Sequence, residues 1–232
     1  MIHVARKPKS APDEHAGDGA ALPRIVSYRD RRERIIYLMQ HYGRYVQGRV
    51  LDVGCDEAQL RAYCPQGYCG LDQHPKADVV MDLETGTLPF KDREFDSIVC
   101  TDVLEHLEHC HAVFDEMVRV CRRYLILSLP NCWAAACFSA IRGKGTLKQY
   151  GLPLSPPADR HRWFFNYEEA EGFIRGQALR WHLTVRVCEP YYGADAFPKR
   201  LLQLCYRFDE RRRRNVFARA LWAVLERAPD GH

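Results

Sequence analysis

The 232-residue sequence holds no apolar run approaching the ~18–20 residues that a membrane-spanning helix needs, so no integral membrane contact is expected. Its first 23 residues carry charges but no apolar core segment, which argues against a secretory signal and for a cytoplasmic location. No Cys-x-x-Cys pair occurs, and the Cys64/Cys69 and Cys132/Cys137 intervals have no matching partners, so no metal is expected. The ten cysteines then read as reduced thiols, with Cys55, Cys100 and Cys121 as small buried hydrophobes. Internal repeats are lacking, and so is the Gly-x-Gly-x-x-Gly fingerprint of a dinucleotide site.

What is present describes a globular chain. Apolar residues make up 47% and charged residues 28%, close to the average for folded domains, which excludes wholesale disorder. The net charge of +4 conceals an asymmetry. Residues 1–140 carry 17 basic and 20 acidic side chains, and residues 141–232 carry 17 basic and 10 acidic ones. An acidic half joined to a basic half suits a protein that handles two different ligands, the second of them anionic. Arg211 to Arg214, Arg142, Lys144 and Lys148 supply much of the basic half, although a solvated face is the plainer account of the four-arginine run.

Periodicity organises the chain. Residues 1–23 read as a flexible tail and 24–47 as an N-terminal helix, with Ser27 and Asp30 at its start and Ile35, Ile36, Leu38, Met39 and Tyr42 on its apolar stripe. Arg49 to Gly54, Tyr68 to Leu71, Ala77 to Met81, Phe95 to Cys100 and Tyr124 to Leu129 read as strands. They alternate with helices over 57–63 and 111–122, the βαβ pattern of a mainly parallel sheet. Residues 142–165 interrupt the pattern as an inserted lid. Asn166, with Glu169 three residues on, starts another helix, and Trp181 to Cys188 is a further strand. Tracts 196–206 and 211–227 are ambiguous between helix and strand.

In open α/β sheets, ligands bind beyond the carboxyl ends of the strands. Those ends carry Asp52-Val53-Gly54-Cys55, Leu71-Asp72, Asp82-Leu83, Thr101-Asp102 and Ser128 to Asn131, so four of five hold carboxylates. Gly54 permits a sharp turn and a close backbone approach. Asp72 lies where an acid that binds ribose hydroxyls is expected. Asp56 and Glu57 would repel a pyrophosphate, which disfavours NAD and favours a nucleoside ligand of net positive charge such as S-adenosylmethionine.

The run Val50 to Cys55 resembles the first motif of class I S-adenosylmethionine-dependent methyltransferases. The likeness continues in order through Gly70-Leu71-Asp72, Met81-Asp82-Leu83, Leu88-Pro89-Phe90, Phe95 to Cys100, Asp102 to Leu107 and Leu127 to Asn131. Together these resemble the type 11/12 methyltransferase-domain group, which includes ubiquinone-pathway and MetW-like enzymes. The resemblance covers residues 48–131 as the cofactor-binding core and His161 to Gly172 more loosely, within one domain over 24–232 whose part from 166 on would meet the acceptor. It implies a Rossmann-like, seven-stranded, mainly parallel α/β sheet with helices on both faces and an antiparallel last strand, which it places at Ala220 to Arg227. Cofactor-binding roles fall on Asp52, Gly54, Cys55, Asp56, Asp72, Asp82, Leu83, Thr101 and Asp102. Asp56 departs from the family, which usually has glycine there.

The expected reaction is methyl transfer to a small-molecule or sugar- or lipid-linked, anionic acceptor, with oxygen as the target atom. His106 and His161 are the candidate catalytic bases. His106 also belongs to a common structural phrase of the family, and His161 precedes the aromatic cluster Trp163-Phe164-Phe165, so a packing role stands beside the chemical one for each. Glu105, His106, His109, Cys110 and His111 form a compact group, with His106 and Cys110 spaced as on one helix. Two other readings remain: a non-catalytic partner module, prompted by Asp56, and a nucleic-acid methyltransferase, prompted by the basic half.

Overall fold

The computed structural model describes residues 27–64, 67–143, 145–147, 149–157, 159–193, 205–206 and 208–228. The expected tail over 1–23, Lys144, Lys148 and most of 196–206 lie outside these residues.

Helix α1 (Arg31–Tyr42) starts at Asp30, whose side chain accepts from the Glu33 amide. It is shorter than the expected 24–47 because Asp30 captures the first free N–H groups and Gly43 begins a separate 3-10 turn. Strand β1 (Val50–Val53) is followed by a single 3-10 turn, Gln59–Tyr63, where an α-helix was expected over 57–63. Next come β2 (Tyr68–Asp72), the two-residue β3 (Val79–Val80) and β4 (Phe95–Thr101). Helix α2 (Cys110–Val120) leads into β5 (Cys121–Pro130). Helix α3 (Cys132–Ile141), absent from the sequence reading, is capped by Asn131, whose side chain accepts from the Trp133 and Ala134 amides. Between Arg142 and Asn166 the described residues form no helix or strand.

Helix α4 (Tyr167–Arg180) opens with the Asn166–Glu169 capping box visible in the sequence. Strand β6 (Leu183–Tyr191), helix α5 (Glu210–Phe217) and strand β7 (Ala220–Arg227) complete the chain. The ambiguous tract 211–227 therefore holds both a helix and a strand.

The seven strands lie in the order β3-β2-β1-β4-β5-β7-β6. The first five pair in parallel, and β7 runs antiparallel to both β5 and β6. Alternate residues of each central strand enter two separate cores. Leu51, Ile98, Leu125, Leu127 and Leu221 pack with Val113, Phe114 and Met117 of α2 and with Ala170, Ile174 and Ala178 of α4. Val50, Val99, Ile126, Trp222 and Val224 pack on the opposite face against Ile35, Leu38 and Tyr42 of α1. Burial on both faces accounts for the near-continuous apolar runs in these strands. Among the described residues no helix is long and apolar enough to cross a membrane. All ten cysteines are free thiols.

Candidate functional site

The strand order reverses between β1 and β4, and a cavity of about 740 Å³ opens at the carboxyl ends beside that point. Gly54, Asp56, Asp72, Leu83, Asp102, Val103, His106 and Asp159 line it, with Arg31 from α1. Six of the sequence-predicted residues thus share one space. Asp52, Cys55 and Thr101 are buried, at 5%, 3% and 6% exposure, and do not line it. Asp82 caps the 3-10 turn Leu83–Thr85 by accepting from the Glu84 amide.

Each wall has a local cause. Gly54 has φ +71°, and a Cβ there would meet Val103 Cγ2 at 2.4 Å. Its amide and that of Cys55 both donate to the Leu71 carbonyl, at 2.8 and 3.2 Å, which ties the turn to β2. Asp56 and Ala58 also have positive φ, 51° and 56°. Asp56 thus takes the backbone conformation that a glycine would take, and its carboxylate turns to Arg31 at 3.5 Å. Asp72 Oδ2 accepts the Asp56 amide at 2.7 Å and Oδ1 the His74 amide at 2.8 Å. Asp102, itself at φ 52°, accepts from Ser128 Oγ at 2.5 Å and pairs with Arg34, which fastens α1 to the end of β4.

Beneath the cavity Asp52 accepts from the Tyr68 hydroxyl at 2.9 Å. Burial pushes its carboxyl up from 3.8 to about 7, against the opposing pull of the Tyr68 hydrogen bond and Arg31. The unfolded chain ionises this group first. Its contribution to stability is therefore full below pH 3.8 and is lost as the pH rises through about 7. Asp52→Asn removes the titration, so the melting temperature of the variant minus that of the wild type should rise between pH 4 and pH 7 and level off above. Thermal melts across that range check it, and a pH-independent difference would contradict it.

Both candidate histidines lie where His106 and Asp159 line the cavity, His161 against His106. His106 Nδ1 lies 2.7 Å from the Asp159 carboxylate, and its ring meets that of His161 edge-on, centroids 4.5 Å apart. His161 is set there by backbone bonds: the amides of Arg162 and Trp163 donate to the Glu105 carbonyl, at 2.7 and 3.4 Å. Burial, with a contribution from His106, lowers His161 to about 4, so its imidazole is neutral at pH 7.

The grouping expected around His106 does not form. His106 ends a 3-10 turn (Leu104–His106), and α2 begins only at Cys110, so the two are not one turn apart on a single helix. His109 pairs with Glu84 at 3.0 Å, and Cys110 lies against His111. Glu105 is the residue that sequence reasoning undervalued. It is 1% exposed, and burial, reinforced by Asp102, pushes its carboxyl well up. It also lines a second, mainly apolar cavity of about 200 Å³ with Leu129, Trp163, Phe165 and Phe173.

The four-arginine run proves to be a paired helix face. Arg211 bonds Glu168, Arg212 Asp209, and Arg213 and Arg214 Glu210. Nothing there is left as a bare basic patch. Arg160 and Arg162, both exposed, flank His161 instead.

The cavity suits the nucleoside ligand expected from the sequence. Its volume lies in the range of small-molecule sites, Asp72 offers two fixed carboxylate oxygens, and the lining is acidic rather than phosphate-binding. Residues 51–127 match the family model described as "Methyltransferase domain". No curated protein matches the chain. Among solved structures, a SAM-dependent methyltransferase from Archaeoglobus fulgidus superposes with a TM-score of 0.56 at 17% identity, over 84% of this chain and 94% of that one. The small RNA methyltransferase HEN1 gives 0.58 at 16% identity, over 93% of this chain but 28% of that one. The methyltransferase domain of bacterial CtHen1 gives 0.51 at 15%, over 84% and 97%. At such identities the likeness establishes the fold. Residues 51–127 therefore match the methyltransferase-domain family, on a fold that this chain shares with SAM-dependent methyltransferases.

Proposed function

We propose that the protein transfers a methyl group from S-adenosylmethionine to an oxygen of a small or sugar- or lipid-linked anionic acceptor. The observation that carries this is the histidine pair at the cavity's acceptor end, His106 on Asp159 and His161 beside it. When bound, S-adenosylmethionine supplies an electrophilic methyl carbon on a sulfonium, whose C–S electron pair leaves with the sulfur as a neutral thioether. The chain's own residues do the rest. Asp72 would hold the ribose hydroxyls, Leu83 would pack on the adenine, and Gly54 with Asp102 would shape the wall beside the methionine portion. A hydroxyl acceptor must lose its proton as the new O–C bond forms, and the imidazole pair is placed to receive it. An amine already in its neutral form would need no such group. Arg160 and Arg162 flank His161 and favour a negatively charged acceptor.

A lid over 142–165 and a single domain over 24–232 belong to the same proposal. The partner-module alternative loses its motive, because Asp56 adopts the left-handed backbone of a glycine and leaves the cavity open. The nucleic-acid alternative loses the Arg211–Arg214 patch to ion pairs.

The test is transfer of labelled methyl from S-adenosylmethionine to a panel of phosphorylated sugars, polyols, lipid-linked sugars and amines. Hydroxyl acceptors should be labelled, and His106→Ala should lower kcat by roughly 10²–10⁴ while leaving cofactor affinity within about threefold. Labelling of amines alone, or full turnover by His106→Ala, would contradict the assignment.

A further inference from the structure

Of the nine large apolar side chains that stand exposed among the described residues, six fall between Trp133 and Phe164. Leu152 and Leu154 are fully exposed, Ile141 is 81% exposed and Phe164 half exposed. Trp133, Cys137 and Ile141 follow one another at four-residue steps along α3, so they share a stripe separate from the buried Cys132 and Ala136. The other side chains are pinned to the start of that helix. The Cys132 amide donates to the Phe165 carbonyl at 3.1 Å. The Tyr150 hydroxyl donates to the Trp163 carbonyl at 2.9 Å and stands 2.7 Å from Cys132 Sγ. Phe164 meets the Tyr150 ring edge-on, centroids 4.8 Å apart. Trp133 follows Cys132 directly and Leu152 lies two residues past Tyr150, so helix and segment expose their apolar side chains in one neighbourhood.

Charge complementarity selects what covers this surface. Between Asn131 and Asn166 the chain carries Arg142, Lys144, Lys148, Arg160 and Arg162 against a single acid, Asp159, whose carboxylate is turned to His106. Trp, Phe, Leu and Ile set among lysines and arginines are what an interfacial segment presents to a bilayer: apolar side chains enter the acyl boundary, and cations meet the anionic headgroups. Single-stranded nucleic acid would use the cations and the aromatic faces, but it gains nothing from exposed aliphatic chains such as Leu152, Leu154 and Ile141. Protein partners are the poorer match, because lysine is depleted in their interfaces.

We propose that α3 and the segment that follows it to Phe164 dock on the surface of an anionic lipid bilayer. Such docking needs no spanning helix, and the described residues hold none. Arg160 and Arg162 flank His161, whose ring meets His106 on the wall of the 740 Å³ cavity, so the docked face adjoins that cavity. Among the acceptor classes this favours the lipid-linked one, which would keep its apolar chain in the bilayer while its anionic head reaches the arginines. That choice of acceptor rests on the O-methylation reading. Docking itself does not.

The test is flotation of the full chain with vesicles of phosphatidylcholine alone and of phosphatidylcholine mixed with phosphatidylglycerol, with no S-adenosylmethionine or acceptor present. Binding to the anionic vesicles should exceed binding to the neutral ones and should fall as salt rises. The double substitution Leu152→Glu and Leu154→Glu should weaken it more than about tenfold, since each leucine forfeits the burial of a whole side chain. Arg142→Ala should weaken it roughly fivefold, the share of one cation near an anionic surface. Leu179→Glu, at an exposed leucine near the far end of α4, should leave it unchanged. All these side chains are exposed, so the variants should melt as the wild type does, and Ile141→Glu repeats the test from the helix. No binding to anionic vesicles, equal binding to neutral ones, or binding that survives both the leucine and the Ile141 substitutions would overturn the proposal. So would self-association, or capture of single-stranded RNA, that these substitutions abolish in a protein that binds no vesicles. Methyl transfer to the acceptor panel, assayed separately, keeps a failure of docking distinct from a failure of the transferase reading.

Discussion

Asp72→Ala is expected to weaken S-adenosylmethionine binding by roughly 10- to 100-fold, because a hydrogen bond to a charged group contributes about 1.5–3 kcal/mol and ~1.4 kcal/mol is tenfold. The carboxylate stands at the end of β2 with both oxygens already fixed, one by the Asp56 amide and one by the His74 amide. Each oxygen keeps capacity for a ligand hydroxyl, so the group is aimed before the ligand arrives and little ordering remains to be done. Alanine removes the acceptors and also releases the two turns that flank the cavity. Asp72→Asn keeps one acceptor oxygen but must present an NH₂ to one of those amides, so an intermediate loss is expected. Calorimetric titration of the three proteins measures the series, and unchanged affinity in Asp72→Ala would remove the ribose assignment.

Gly54→Ala should be the most damaging single methyl in the molecule's site. At φ +71° the added Cβ sits 2.4 Å from Val103 Cγ2. The left-handed backbone costs an ordinary residue ~1–2 kcal/mol and overpacking ~1–3 kcal/mol, together a fall in melting temperature of roughly 5–15 °C for a chain of this size. The turn also carries the Arg31-to-Gly54 carbonyl bond of 3.0 Å and both amide bonds to Leu71. Displacing it should therefore cost cofactor affinity more than about tenfold as well. Adding Val103→Ala relieves the clash but not the dihedral, so stability should return only in part. A Gly54→Ala protein with wild-type melting and binding would show that neither contact governs the turn.

The sequence displays the sheet and the cofactor end because both follow from local rules. Strands buried on two faces leave apolar runs, and their parallel pairing puts the terminal carboxylates on one rim. The Asn166–Glu169 cap and the Asp30 start are equally local. The surroundings of His106 were far less legible. His161 reaches His106 only because its neighbours' amides bond the Glu105 carbonyl across 56 residues, a pairing no periodicity encodes. The four-arginine run, for which a solvated face was the plainer account, also draws Glu168 of another helix as a partner, which no local pattern displays. Helix α3, apolar over its whole length and ending beside an irregular segment, offers little amphipathic contrast to mark it.

Titration of the full chain with S-adenosylmethionine and S-adenosylhomocysteine by calorimetry, with NAD as control, tests the central claim most directly. One-to-one micromolar binding of both sulfur ligands and none of NAD is the predicted result. Absence of binding by either sulfur ligand would contradict it, and the cavity would then belong to a partner module with the methyltransferase fold.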